Sequence, residues 1–91
     1  MEYRITTPVT REMLATMLYR YYTEFQDKYV STFAGLGSYP DGREVSEYAR
    51  LTLGWAMQSQ VLTPLEGMLR PQSAVSRGQL ALALQALRRQ P

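Results

Sequence analysis

Cysteine and histidine are absent from the 91 residues, and lysine occurs once, at position 28. Without thiols or imidazoles the chain cannot form disulfides, Cys/His zinc sites, thiol nucleophiles, serine–histidine triads or histidine general bases. No apolar run approaches the roughly 18 residues that a membrane span needs. The first twenty residues carry Glu2, Arg4, Arg11, Glu12 and Arg20, which leaves no apolar core for a signal peptide. The chain is therefore read as either cytosolic or a mature piece of a longer secreted protein. Charge of one sign is also scarce. The net charge is +2, and the nine arginines that make up the rest of the basic complement are scattered rather than striped. That pattern argues against nucleic-acid binding. Arginine suits planar, bidentate contact with a carboxylate or phosphate better than diffuse attraction does.

What is present describes one small helical domain. The hydrophobic fraction is 45% and the charged fraction 20%, a composition that folds. Apolar residues at helical spacing predict three helices, over about 10–28, 46–60 and 76–89. Their stripes are Met13, Leu14, Met17, Leu18, Tyr21, Tyr22 and Phe25, then Tyr48, Ala49, Thr52, Trp55 and Ala56, then Leu80, Ala83, Leu84 and Leu87. The short run Ile5-Thr6-Thr7 ends at Pro8 and is a weak strand signal. Gly35, Gly37, Pro40 and Gly42 break the first connection, and Pro64, Gly67 and Pro71 break the second. The fold class expected is all-α with long irregular connections.

The starts of the first and third helices repeat each other. Val9-Thr10-Arg11-Glu12-Met13-Leu14-Ala15 aligns with Val75-Ser76-Arg77-Gly78-Gln79-Leu80-Ala81 at an offset of 66 residues, and Leu18 aligns with Leu84. Thr10 and Ser76 read as N-caps, with Val9/Leu14 and Val75/Leu80 at hydrophobic-staple spacing and Ser76/Gln79 as a capping box. Arg11 and Arg77 then fall at the first helical position. A cation there opposes the helix dipole at a cost of roughly 0.3–1 kcal/mol. Two readings follow: each arginine points to solvent or a nearby carboxylate, or each completes an anion site with the free helix amides.

These helix starts resemble the Thr-Arg-Ala-Glu motif of S-layer homology (SLH) domains, which anchor secreted proteins to bacterial cell-wall polymers. The rest of the motif can be followed over 39–89: Tyr39-Pro40-Asp41, Tyr48-Ala49, Trp55-Ala56, the turn Glu66-Gly67-Met68-Leu69-Arg70-Pro71, then Val75-Ser76-Arg77. Residues 1–28 are similar to the second half of a preceding motif, 29–38 to a linker and 39–91 to a complete motif, together one compact unit. The resemblance implies helix-loop-helix units, three of which usually form a three-lobed domain around a central bundle. Its grooves bind anionic, often pyruvylated, secondary cell-wall polysaccharide. It also implies an extracellular, wall-associated location; no cofactor is expected, and no metal, since the chain lacks His, Cys and a carboxylate cluster. Carried over, Arg11 and Arg77 contact the anion, Trp55 and the backbone at Gly67 wall the groove, and Thr10, Ser76 and Gln79 stand at the same helix starts. Three features depart from the family. Gly78-Gln79 replaces Ala-Glu, Glu12 sits one position early with Met13 in the acidic place, and Val61-Leu62-Thr63-Pro64 stands where a glycine usually follows the first helix. One and a half motifs do not close such a bundle, so further motifs or self-association are expected to complete it.

Simpler roles compete for single residues. Trp55 also fits the core. Asp41 fits a brace of the turn before the second helix, and Gly67 a residue of positive φ. Of Tyr19, Tyr21, Tyr22 and Tyr29, not all can face one core. Glu44 and Glu47 suit the start of the second helix as dipole complements. Glu12, Asp41 and Glu66 come from separate elements and make no catalytic pair, so no enzyme is expected. The functional expectation is a non-catalytic wall-anchoring module, with a helical protein-interaction or self-association module as the alternative.

Overall fold

The computed structural model describes residues 9–25, 36–37 and 39–90, and the fold is all-α. Helix α1 spans Arg11–Arg20 and runs on as a π-helical turn, Tyr21–Phe25; α2 spans Arg50–Gln58 and α3 spans Arg77–Arg88. Two 3-10 turns, Gly42–Glu44 and Glu47–Ala49, lead into α2. The expected continuation of the first helix to Lys28, and with it Tyr29, the Ile5-Thr6-Thr7 run and Gly35, lie outside the described residues.

Local chemistry sets each boundary. The Thr10 hydroxyl accepts from the Met13 amide at 3.3 Å, and Ser76 and Gln79 close a capping box at 3.1 and 3.0 Å. At its other end α2 finishes in a Schellman motif. The Gln60 amide donates to Met57 and the Val61 amide to Ala56, which requires a left-handed residue between them. Gln60 takes that conformation, φ +62°, without being glycine. Val61 then closes apolar contact against Ala56, both buried.

The core gathers Leu14, Ala15, Leu18 and Tyr22 from α1, Leu53, Trp55 and Ala56 from α2, and Ala83 and Leu87 from α3. Thr16 and Thr52 share a hydroxyl hydrogen bond of 2.8 Å across the α1/α2 contact. The expected stripes are only half buried. Met13, Met17 and Tyr21 on α1, Tyr48 before α2, and Leu80 and Leu84 on α3 are all exposed. Helix α1 packs chiefly on α2 and the 3-10 turn before it, and the rest of its wide apolar face stays open.

Candidate functional site

The site grows from the turn after α2. Leu65 and Met68 exchange two backbone hydrogen bonds, of 2.9 and 3.0 Å, around Glu66 and Gly67. Both central residues have positive φ, +53° and +78°, the geometry of a type I′ turn, which Gly67 satisfies without strain. Arg70 is left-handed as well, at φ +49°. Such a run of backbone turns its amides into one concavity, a nest for an anion.

The anion in that nest is the protein's own. The buried Asp41 carboxylate accepts from the Leu69 amide at 2.9 Å and the Arg70 amide at 2.8 Å. Burial alone would raise its pKa. The donors at Leu69, Arg70 and its own amide, with the Arg70 charge, outweigh burial and hold it below the ordinary carboxylate value. Asp41 therefore braces the turn after α2, not the turn before it. It makes no side-chain cap on the 3-10 turn that follows it.

Arg11 holds the same turn from the other side. Its Nε donates to the Leu69 carbonyl at 2.8 Å and one terminal nitrogen to the Thr63 carbonyl at 2.6 Å. The residue is 2% exposed. Burial lowers its pKa, an effect that Asp41 opposes and Arg70 reinforces. Leu69 is thus fixed at both ends of its peptide, amide to Asp41 and carbonyl to Arg11. The start of α1 is filled too. The Arg11 amide donates to Ser73 and the Glu12 amide to Pro71, each at 3.0 Å, and Val75 donates to Val9 at 2.8 Å beside a bridge between Thr10 and Ala74.

Glu12 was not foreseen as a hub. One carboxylate oxygen accepts from the Ser46 amide at 2.9 Å and from Gln72 Nε2 at 3.2 Å. The Tyr48 hydroxyl bonds to the same carboxylate; its pKa is raised by desolvation first and by Glu12 second. Gln72 also reaches the Glu44 carbonyl at 2.6 Å. From the second position of α1, Glu12 faces the 44–48 connection.

The candidate residues therefore separate. Arg11 is spent on two backbone carbonyls and cannot contact a solute, and Thr10 is a half-buried cap. Trp55 does not wall a groove. It is buried between Tyr19, edge-on with centroids 5.6 Å apart, and Tyr22 at 5.5 Å. Gly67 is exposed at its turn, but the nest beside it is occupied by Asp41. Arg77 is exposed at the start of α3, next to the capping pair Ser76 and Gln79, and among the described residues the Arg77 and Gly78 amides have no acceptor.

The repeat makes the contrast between the two starts quantitative. Leu14 and Leu18 are 3% and 6% exposed, whereas their counterparts Leu80 and Leu84 are 39% and 43% exposed. With Met17, Tyr21, Leu87 and Arg88, these leucines line an open groove of about 510 Å³ between α1 and α3. Among the described residues no group of three acidic side chains could hold a metal, and no helix is long and apolar enough to cross a membrane. No family model matches the chain, and neither a curated protein nor a solved structure matches it.

Proposed function

We propose that the chain is a non-catalytic module built as one unit of an SLH-like array, which docks a further unit of its own kind on α3. One observation carries this reading. The Arg11/Leu14/Leu18 face of α1 is covered by the 45–73 segment, and the equivalent Arg77/Leu80/Leu84 face of α3 is bare. In the completed array Arg77 would clamp a turn as Arg11 does. Wall attachment through anionic polysaccharide, and with it a cell-surface location, is what the motif resemblance would add.

A second reading keeps Arg77 as the polysaccharide contact itself. Its exposed side chain, and the two amides beside it that have no acceptor among the described residues, support that role. Retention on purified cell-wall sacculi, before and after mild acid removal of pyruvyl ketals, tests attachment. Loss of retention after acid treatment and in Arg77→Ala supports the second reading. Undiminished retention in Arg77→Ala excludes it. Light scattering of the intact chain tests docking: a strictly monomeric Leu80→Gln/Leu84→Gln variant beside a self-associating parent supports it. A parent that stays monomeric at high concentration removes self-association and leaves a separate unit as the docking partner.

A further inference from the structure

A second concavity, of about 720 Å³, opens on the opposite connection, and none of the residues discussed so far as anion contacts lines it. Its wall is Leu36, Tyr39, Pro40, Gly42 and Arg43 from the turns before α2, with Arg50 from the first position of α2. The wall is rigid. Tyr39 donates to the Leu36 carbonyl at 3.1 Å, Gly42 to Tyr39 at 3.2 Å and Glu44 to Asp41 at 3.0 Å. A Cβ on Gly42 would come within 2.4 Å of the Leu36 oxygen, so only glycine lets the two turns close. Asp41, between Pro40 and Gly42, is locked to Leu69 and Arg70.

Arg43 and Arg50 both line this concavity, and no carboxylate among the described residues pairs with either. The ion pair found among the described residues is Arg70–Glu66, and Glu44 and Glu47, nearby in sequence, reach neither Arg43 nor Arg50. The first position of α2 is also where a cation is disfavoured by the helix dipole. The same wall carries apolar Leu36 and Pro40 and the half-buried Tyr39. We propose that this concavity binds a carboxylate carried on a six-membered ring, the guanidiniums taking the carboxylate and Tyr39 and Pro40 the ring face. Paired, charge-assisted contacts to a planar anion are the strongest use of arginine, and the ring face supplies selectivity over a bare oxyanion. The site does not depend on the array or wall-attachment readings.

The test is an amide chemical-shift titration of the intact chain with glucuronate, benzoate, glucose and inorganic phosphate at one ionic strength. Saturable shifts confined to residues 36–43 and the start of α2 are expected with glucuronate or benzoate, and the two probes separate a sugar acid from an aromatic acid. Glucose and phosphate are expected to bind at least about tenfold more weakly. Arg43→Gln/Arg50→Gln should lose about tenfold or more, each single variant should lose part of that, and Arg20→Gln/Arg89→Gln, with the same loss of charge at exposed positions, should lose none. Phosphate binding as tightly as glucuronate, no saturable shift, or undiminished binding in the double variant each overturns the proposal. Sacculus retention of the same double variant keeps the two questions apart: glucuronate binding without wall retention sinks only wall attachment, and wall retention without glucuronate binding sinks only this site.

Discussion

Arg11 and Arg77 share a sequence context, so removing each in turn isolates what the fold does with them. Arg11→Ala deletes two hydrogen bonds from a charged donor, to Leu69 and Thr63. Bonds of that kind contribute about 1.5–3 kcal/mol each. It also leaves the buried Asp41 without the nearby positive charge that Arg11 supplies. The desolvation cost of the guanidinium is relieved at the same time, which offsets part of the loss. A net destabilisation of about 3 kcal/mol is expected, a large share of the roughly 5–15 kcal/mol that holds a domain folded. Arg77→Ala removes only an exposed side chain and should stay within about 0.5 kcal/mol of the parent. Urea denaturation followed by circular dichroism reads both. With a slope near 1 kcal/mol per molar for a chain this size, the Arg11 midpoint drops by roughly 3 M. Arg11→Lys should fall between, because one ammonium keeps the charge but not the fork that spans two carbonyls. A midpoint for Arg11→Ala within 0.5 M of the parent, taking ~0.5 kcal/mol as the scatter of neutral substitutions, would refute the clamp. The same result bears on binding assays: a loss of ligand in Arg11→Ala would report unfolding, so Arg77 is the informative substitution.

Three further outcomes are expected. Gln60→Gly should raise stability by about 0.5–1 kcal/mol in the same denaturation assay, since a left-handed non-glycine costs about 1–2 kcal/mol and glycine returns part of that as unfolded-chain entropy. A less stable variant would show that Gln60 is not strained. The Asp41 pKa is depressed in the fold, so its contribution is complete above the unfolded carboxylate value near 3.9 and is lost as pH falls through the lower folded value. Midpoints measured from pH 5 down to pH 2 should fall steeply in the parent and less in Asp41→Asn, which should already be weaker at pH 6; parallel profiles would disprove the nest. Glu12→Ala should cost about 2 kcal/mol by freeing the Ser46 amide, Gln72 and Tyr48 together, and should lower the alkaline midpoint of the Tyr48 phenol in an ultraviolet titration. An unmoved phenol midpoint would exclude the Tyr48 contact.

The three helices and their caps were legible because they are local. Thr10, Ser76 and Gln79 act on amides within three residues, and periodicity reports which positions share a face. What periodicity cannot report is which part of a face finds a neighbour, so Leu80 and Leu84 read like Leu14 and Leu18 yet end in solvent. Trp55 read correctly as apolar but could not be placed against Tyr19 and Tyr22 without the α1/α2 packing. Arg11 was legible as a cation in an unfavourable position. Its partners lie 58 and 52 residues away and are backbone carbonyls, which carry no side-chain signature. Asp41 was legible as a brace, with the wrong turn assigned, for the same reason. The left-handed residue that ends α2 was not legible, since it is Gln60 and not a glycine.

The junction at Leu69 also orders events during synthesis. The start of α1 is completed only by groups at 63–75, and the Arg11–Leu69 bond closes over 58 positions. At roughly 5–20 residues per second, a ribosome takes on the order of 3–12 s to supply them. Through that interval the nascent α1 keeps a charged, unsheltered first turn and an uncovered Leu14/Leu18 face. Helix α1 is thus made well before the turn that secures it.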